Sequence, residues 1–129
     1  MQIYTSHYAN KKIADLNIMP IGISLYVPAS LAFDVPFHIK ELAPTSTMVY
    51  YSYPLYRTVY LSKLESLSVD QLKERFQEFM DFRHAGGPEK KKGLVLLCIE
   101  DLSHMRDWCH RRIFAEWWQK KTGQVVKEL

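Results

Sequence analysis

Apolar and polar positions along the chain predict strands that alternate with helices. Residues 94–99 form an unbroken apolar run between charged flanks. A run of this length is typical of a strand that is buried on both faces, as in the centre of a parallel sheet. Residues 2–5 predict a short opening strand. Residues 21–27 alternate between apolar and other positions and are bracketed by Pro20 and Pro28, which predicts a second strand.

Two later stretches predict amphipathic helices. Ser68 and Gln71 have the spacing of a capping box, in which each side chain accepts or donates a hydrogen bond at the start of a helix. The apolar positions that follow form one stripe: Val69, Leu72, Phe76, Phe79 and Met80. A further helix is predicted over residues 109–121, with Gly123 as its C-terminal cap. Both helices are expected to cover a sheet.

The order of these elements predicts an α/β fold. The strand at 94–99, the helix at 109–121 and a further strand predicted at 124–129 form a strand-helix-strand unit, which is expected to be a right-handed parallel crossover. We therefore predict a small, mostly parallel sheet flanked by helices in Rossmann-like layers. The whole chain, 1–129, is expected to be a single domain.

Composition and charge narrow the class of protein. The 47% hydrophobic content is that of a globular protein. No apolar run approaches the ~20 residues of a membrane span, and no signal peptide is recognisable, so a cytoplasmic location without a membrane partner is expected. The net charge of +3 is compatible with an anionic partner but is weaker than the basic stripe of a dedicated nucleic-acid binder. Both cysteines are expected to be free thiols.

Tyrosines are concentrated around residues 50–60, where Tyr56 and Tyr60 would share a helix face. Together with Arg57 they could form a surface on which nucleic-acid bases stack. Aromatic stripes at helical spacing are more often packing residues, so packing is the preferred interpretation.

The densest group of reactive side chains lies at one strand-to-helix junction. Cys98 and Glu100 come at the end of the central strand, and Cys109, His110 and Arg111 come at the start of the next helix. Ligands of open α/β sheets bind beyond the carboxyl ends of the strands, and a helix N-terminus there attracts anions. These residues therefore mark a candidate site.

Three chemical interpretations of this group stay open. Cys109 would be a nucleophile with a lowered pKa, and His110 would act as acid and base. Alternatively, Cys98, Cys109 and His110, with or without Glu100 or His104, would bind zinc. Their spacing matches no established zinc pattern, and ligation by the adjacent residues Cys109 and His110 is unfavourable, so no metal or other cofactor is expected. In the third interpretation, Arg111 and Glu100 line a pocket for a phosphate-bearing ligand. The competing interpretation of the same residues is purely structural: Glu100 pairs with Arg111 or His110 and anchors the loop.

Arg112 is excluded from the site by helical spacing. It aligns with Glu116 and Lys120 at intervals of four residues, which is typical of a solvent-exposed stripe of ion pairs.

The chain resembles the DUF488 family of uncharacterised proteins, especially its short, phage-type branch. That branch has the signature LLCxE, then CHR, then AEW. The matching residues are Leu96, Leu97, Cys98, Glu100, Cys109, His110, Arg111, Ala115, Glu116 and Trp117. Weaker matches are IYTS at 3–6 with Tyr8 and Ala9, LAPT at 42–45, Tyr56, Tyr60, and VKEL at 126–129.

The resemblance implies an α/β fold with a site at the motif residues, and it implies no reaction, because the family is of unknown function. The chain departs from the family at residues 25–28, where many members have an arginine, and at 101–108, where the loop is longer and more polar.

Taken together, these features predict a protein that accepts a phosphate-bearing small molecule or nucleic acid, with or without a catalytic step. The predicted ligand-binding residues are Ser6, Cys98, Glu100 and Arg111, and the predicted catalytic residues are Cys109 and His110. The alternative is a non-catalytic structural or protein-interaction module, in which the CHR motif forms a buried polar network.

Overall fold

A five-stranded parallel sheet organises the part of the chain that the computed structural model describes, residues 1–82, 91–99 and 109–129. Its strands are β1 (Gln2–His7), β2 (Ile18–Gly22), β3 (Phe37–His38), β4 (Gly93–Cys98) and β5 (Lys127–Glu128). They lie in the order β3-β2-β4-β1-β5, and all pairings are parallel. The predicted α/β class is confirmed, with one domain built on one sheet.

Three α-helices accompany the sheet in the described ranges. They are α1 (Tyr53–Glu65), α2 (Val69–Asp81) and α3 (His110–Thr122), and short 3-10 helices occupy Lys11–Asp15, Lys40–Leu42 and Ser46–Tyr50. The Ser68 side chain accepts the backbone N–H of Gln71 at 3.2 Å, as the capping pattern predicts. Gly123 ends α3 with φ of 78°, which confirms it as the cap. Within these ranges no helix is long and apolar enough to cross a membrane.

The two faces of the sheet are covered unequally. All six residues of β4 are buried, which confirms it as the central strand. Leu94 and Leu96 pack in the larger core together with all three α-helices, whereas Val95 and Leu97 belong to a smaller core on the opposite face. That smaller core includes Ile13 of the first 3-10 helix and side chains from residues 31–35. The helical layer is therefore thick on one face only.

The second strand lies upstream of its predicted position. The alternating pattern predicted residues 21–27, but β2 is Ile18–Gly22 and Tyr26 is 71% exposed. The predicted start was wrong because Pro20 was taken as a boundary. The N–H of Ile23 bonds to the carbonyl oxygen of Leu97 in β4. Backbone groups of successive strand residues point alternately to the two neighbouring strands, so the nitrogen of Pro20 points to the β3 side of β2. There β3 pairs only from Ile21 onward, so no hydrogen bond is lost at the proline.

Candidate functional site

The carboxyl ends of β1, β2 and β4 meet the start of α3 at one edge of the sheet. The N–H of Tyr8, the residue after β1, bonds at 3.2 Å to the carbonyl oxygen of Cys98, the last residue of β4. His110, the first residue of α3, bonds through Nε2 to the carbonyl oxygen of Ile23 at 2.7 Å. The predicted proximity of Cys98 to the start of α3 is therefore observed.

The two cysteines are buried and face each other. Cys98 and Cys109 are 0% and 2% exposed, and their sulfur atoms are in bonding contact as a disulfide pair. The expectation of two free thiols is therefore wrong for this structure. Their Cα atoms lie 7.6 Å apart, beyond the ~4.4–6.8 Å that a disulfide usually bridges. A nucleophilic Cys109 needs an accessible thiol, and this sulfur is enclosed beside Cys98.

His110 is a neutral, oriented imidazole. Its Nε2–H donates to the carbonyl oxygen of Ile23, which leaves the lone pair of Nδ1 directed at Cys109 Sγ, 3.4 Å away. Burial lowers the pKa of His110 from 6.5 to about 4, and the charges of Arg111 and Lys63 act in the same direction. The Tyr60 ring packs edge-on against the imidazole at 5.4 Å between centroids.

Arg111 points into the protein and is fully buried. Its Nε and Nη2 donate to the Glu128 carboxylate at 3.0 and 2.9 Å, and its Nη1 donates to Cys98 Sγ at 2.8 Å. Thr5 donates to the same carboxylate at 2.8 Å. Glu128 therefore holds the place that the sequence assigned to a bound anion or to Glu100.

Ser6 and Glu100 complete the predicted set. The Ser6 hydroxyl donates to the carbonyl oxygen of Leu129 at 3.2 Å and accepts from Asn10 Nδ2 at 3.0 Å. Ser6 is fully buried, and its hydrogen bond to Leu129 links β1 to the segment that contains β5. Glu100 lies outside the described residues, as does the loop around His104.

Glu128 is the site residue that the sequence reasoning missed. The rule that located Cys98, that carboxyl ends of parallel strands share one edge, applies equally to β5. Glu128 is the second of the two residues of β5 and pairs in register with Thr5 of β1. Applying the rule to the strand predicted at 124–129 would have placed Glu128 at the same sheet edge as the other candidate site residues.

Helical spacing assigned the outer face of α3 correctly. Arg112 is exposed, as predicted. The ion-pair stripe differs in detail, because the Glu116 carboxylate binds Arg57 of α1 at 2.7 Å. Tyr56 and Tyr60 of α1 are 5% and 0% exposed, which agrees with the preferred packing interpretation.

A cavity of about 320 Å³ opens beside His110; we call it the sheet-edge cavity. It is lined by Ser24, Leu25, Tyr26, Pro44, Val49, Tyr56, Ile99 and His110. Its walls are mostly apolar and aromatic, whereas Ser24 and His110 contribute polar groups. This volume is at the lower end of the ~300–1,000 Å³ range of small-molecule sites.

A hydrogen-bonded network supports the rim of the sheet-edge cavity. The Ser24 hydroxyl donates to the carbonyl oxygen of Tyr26 at 2.6 Å, so the Tyr8 hydroxyl is the donor in its 2.7 Å bond to Ser24. His38 Nε2 bonds to the carbonyl oxygen of Ser24 at 2.6 Å. Gly22 makes room for both rings, because a Cβ there would lie 2.6 Å from Tyr8 Oη and 2.8 Å from His38 Cδ2.

Gly22→Ala is expected to lower the free energy of unfolding by about 2 kcal/mol, because the added methyl displaces Tyr8 or His38. Urea denaturation measures the loss. Tyr8→Phe removes the nearest atom, so in the double variant the alanine should cost less than it does alone. Strictly additive losses would show that the contact with Oη is not the cause.

Comparisons with models of known protein families, with curated proteins and with solved structures find no match to this chain. The function is therefore inferred from the contacts, cavity and charges at the sheet edge.

Proposed function

We propose that this chain binds a small phosphate-bearing ligand of the nucleotide class in the sheet-edge cavity. The observation that carries the proposal is an aromatic and apolar cavity at the carboxyl ends of parallel strands, next to the N-terminus of α3. Ligands of open parallel sheets bind at this position.

The wall of the cavity suits a planar ring. Tyr26 is 71% exposed and Ile99 is 55% exposed at the mouth, whereas Tyr56 is nearly buried. Aromatic side chains stack on nucleobases with little dependence on the base, and each stacked base contributes about 1–3 kcal/mol. A nucleobase would cover the apolar side chains that are now open to solvent.

The floor of the cavity favours negative charge. His110 is there, and the positive charges of Arg111 and Lys63 both disfavour protonation of its ring. The dipole of α3, whose positive end lies at His110, adds to this potential. Arg111 acts from beneath the surface, since its own hydrogen bonds go to Glu128 and Cys98. A phosphate beside His110 would therefore be stabilised mainly by the field of the helix and the lysine.

The proposal concerns binding. A catalytic step through Cys109, with His110 as acid and base, stays a prediction of the sequence and requires Cys109 to be released from Cys98. The DUF488 assignment, a cytoplasmic location and a nucleic-acid partner are likewise predictions, and a nucleic-acid end would present the same base and phosphate to the cavity.

The test is thermal unfolding with a nucleoside monophosphate, the matching nucleoside, or inorganic phosphate. At ligand concentrations ~100 times Kd, binding adds about 2.7 kcal/mol, which should raise Tm by roughly 10 °C. The monophosphate should give the largest rise in Tm, because it alone carries both a base for the aromatic wall and a phosphate for the floor of the cavity. Equal Tm values with and without all three compounds, for a purine and a pyrimidine, would refute the proposal.

Tyr26→Ala is the variant that tests the stacking wall, and we expect it to weaken binding about 10-fold. Tyr50→Ala is the matched control, because Tyr50 is 88% exposed and is not among the residues that line the cavity. Both tyrosines are exposed, so neither change should unfold the protein. Equal loss of binding in the two variants would contradict a specific role for Tyr26.

A second candidate function is the non-catalytic interaction module. It is favoured by the burial of Arg111, whose guanidinium is already bound by Glu128, as expected for a structural network. This alternative predicts no ligand-induced rise in Tm, whereas the stability of the fold would still depend on Glu128.

A further inference from the structure

We propose that Cys98, Cys109 and His110 form a binding site for a transition-metal ion of the zinc class. The two sulfur atoms and a ring nitrogen of His110 all lie within 4.8 Å of one another, and all three residues are buried. Thiolate and imidazole are the ligands that zinc prefers. The inference does not depend on nucleotide binding.

The spacing of the two cysteines suits a bridge of one atom. Zinc binds sulfur at about 2.3 Å, so two thiolates in a tetrahedral site lie roughly 3.8 Å apart, against about 2.05 Å in a disulfide. A metal bridge therefore reaches well over 1 Å further. The Cα separation of Cys98 and Cys109, 7.6 Å, exceeds the usual disulfide range and suits this longer bridge once the disulfide is reduced and the two sulfur atoms move apart.

His110 is oriented as a metal ligand. Histidines that bind metals usually donate their second ring N–H to a carbonyl or carboxylate, which fixes the tautomer. Here Nε2 donates to the carbonyl oxygen of Ile23 at 2.7 Å, so the unprotonated ring nitrogen is Nδ1, whose lone pair can bind a metal. Nδ1 lies 3.4 Å from Cys109 Sγ, close to the ~3.5 Å between sulfur and nitrogen ligands of a tetrahedral zinc.

The backbone explains how adjacent residues serve one ion. Cys109 is extended, with φ of −149° and ψ of 150°, whereas His110 begins the helix. The change of conformation between them turns both side chains toward Cys98. In the sequence, the adjacency of these residues argued against zinc, because neighbours in a regular helix or strand point apart.

The charges around the site are compatible with burial. Binding converts two thiols to thiolates and releases two protons to solvent, so Zn²⁺, two thiolates and a neutral imidazole sum to zero. The Nη1 of Arg111 donates to Cys98 Sγ at 2.8 Å, which favours the thiolate. Glu128 balances the charge of Arg111 at 2.9 Å. The disulfide that the structure shows must first be reduced: a dithiol reductant supplies two electrons and two protons, becomes a disulfide itself and leaves the two thiols of Cys98 and Cys109. The metal-binding step that follows changes no oxidation state.

The described residues supply three ligands, which leaves a fourth coordination position for water or a ligand. Three protein ligands plus water is typical of catalytic rather than structural zinc. His110 also lines the sheet-edge cavity, so an ion at this site would lie next to the proposed ligand.

The test uses the whole chain, reduced and freed of metal with a chelator. We expect it to bind about one Zn²⁺ per chain by calorimetry and to develop thiolate-to-metal absorption with Co²⁺. Reduced protein that binds neither ion would overturn the proposal. Zinc should also raise Tm, and chelator should reverse this rise, so the wild-type protein alone can decide.

The ligands are assigned with Cys98→Ser, Cys109→Ser and His110→Asn, each of which should weaken Zn²⁺ binding at least 10-fold. His7→Gln is the matched control, because His7 pairs in register with Cys98 on the neighbouring strand and is not part of the cluster. Zinc binding that survives both serine variants would place the ion elsewhere and overturn the assignment.

Discussion

Glu128→Ala is expected to lower the free energy of unfolding by about 3 kcal/mol, although it changes a residue of a two-residue edge strand. The reason is Arg111, which is fully buried and whose Nε and Nη2 both donate to the Glu128 carboxylate. Arginine cannot lose its proton in a protein, so the buried charge stays when the carboxylate is removed. Thr5 also loses its acceptor.

Urea denaturation measures this loss, with Glu116→Ala as the matched control. Glu116 forms an ion pair of similar length with Arg57, 2.7 Å against 2.9 Å, but its side chain is 61% exposed. Exposed ion pairs contribute at most about 1 kcal/mol. Glu128→Gln keeps the shape and should fall between the two. If Glu128→Ala costs no more than Glu116→Ala, the buried network does not stabilise the fold.

Acid is expected to destabilise the metal-free protein by about 3 kcal/mol between pH 6.5 and pH 4 through His110 alone. Burial lowers the pKa of His110 to about 4 in the folded protein, against 6.5 when unfolded. Between these values the unfolded chain binds a proton that the folded chain does not, so falling pH favours unfolding. The contribution is fully present above pH 6.5 and is lost as the pH falls toward 4.

The measurement is the free energy of unfolding across this pH range, with chelator present. His110→Asn should be less stable at neutral pH, because Ile23 loses a donor, but its stability should depend less on pH. His7→Gln should keep the wild-type dependence. Parallel pH curves for wild type and His110→Asn would show that folding does not lower the pKa of His110.

These two losses of stability do not separate the proposals for the site. A large loss in Glu128→Ala is expected whether the network is purely structural or supports a ligand, since both require Arg111 to be held. The response to nucleotides and the response to zinc do separate them, because the cavity lining and the metal-ligand cluster share only His110. Tyr26 belongs to the cavity wall, and Cys98 and Cys109 belong to the cluster beneath it. One proposal can therefore fail without the other.

Local patterns in the sequence determined most of the secondary structure. Burial on both faces requires continuous apolarity, which identified the central strand, and the cap of α2 needs only Ser68 and the N–H of Gln71. The strand β3 was not predicted, and α1 was indicated only by the shared helix face of Tyr56 and Tyr60. The strand β2 was misplaced, because whether a proline fits a strand depends on how far its neighbour extends. Information of that kind is not local.

For the candidate site, the sequence by itself determined the place, and only the tertiary structure decided the contacts. Parallel strands end at one edge, so Cys98 and the start of α3 were expected to meet. Which carboxylate pairs with Arg111 was decided by β5, which pairs with β1 and brings Glu128 to the guanidinium. The closeness of Cys98, Cys109 and His110 depends on the extended backbone at Cys109, a change of direction that residue spacing does not encode.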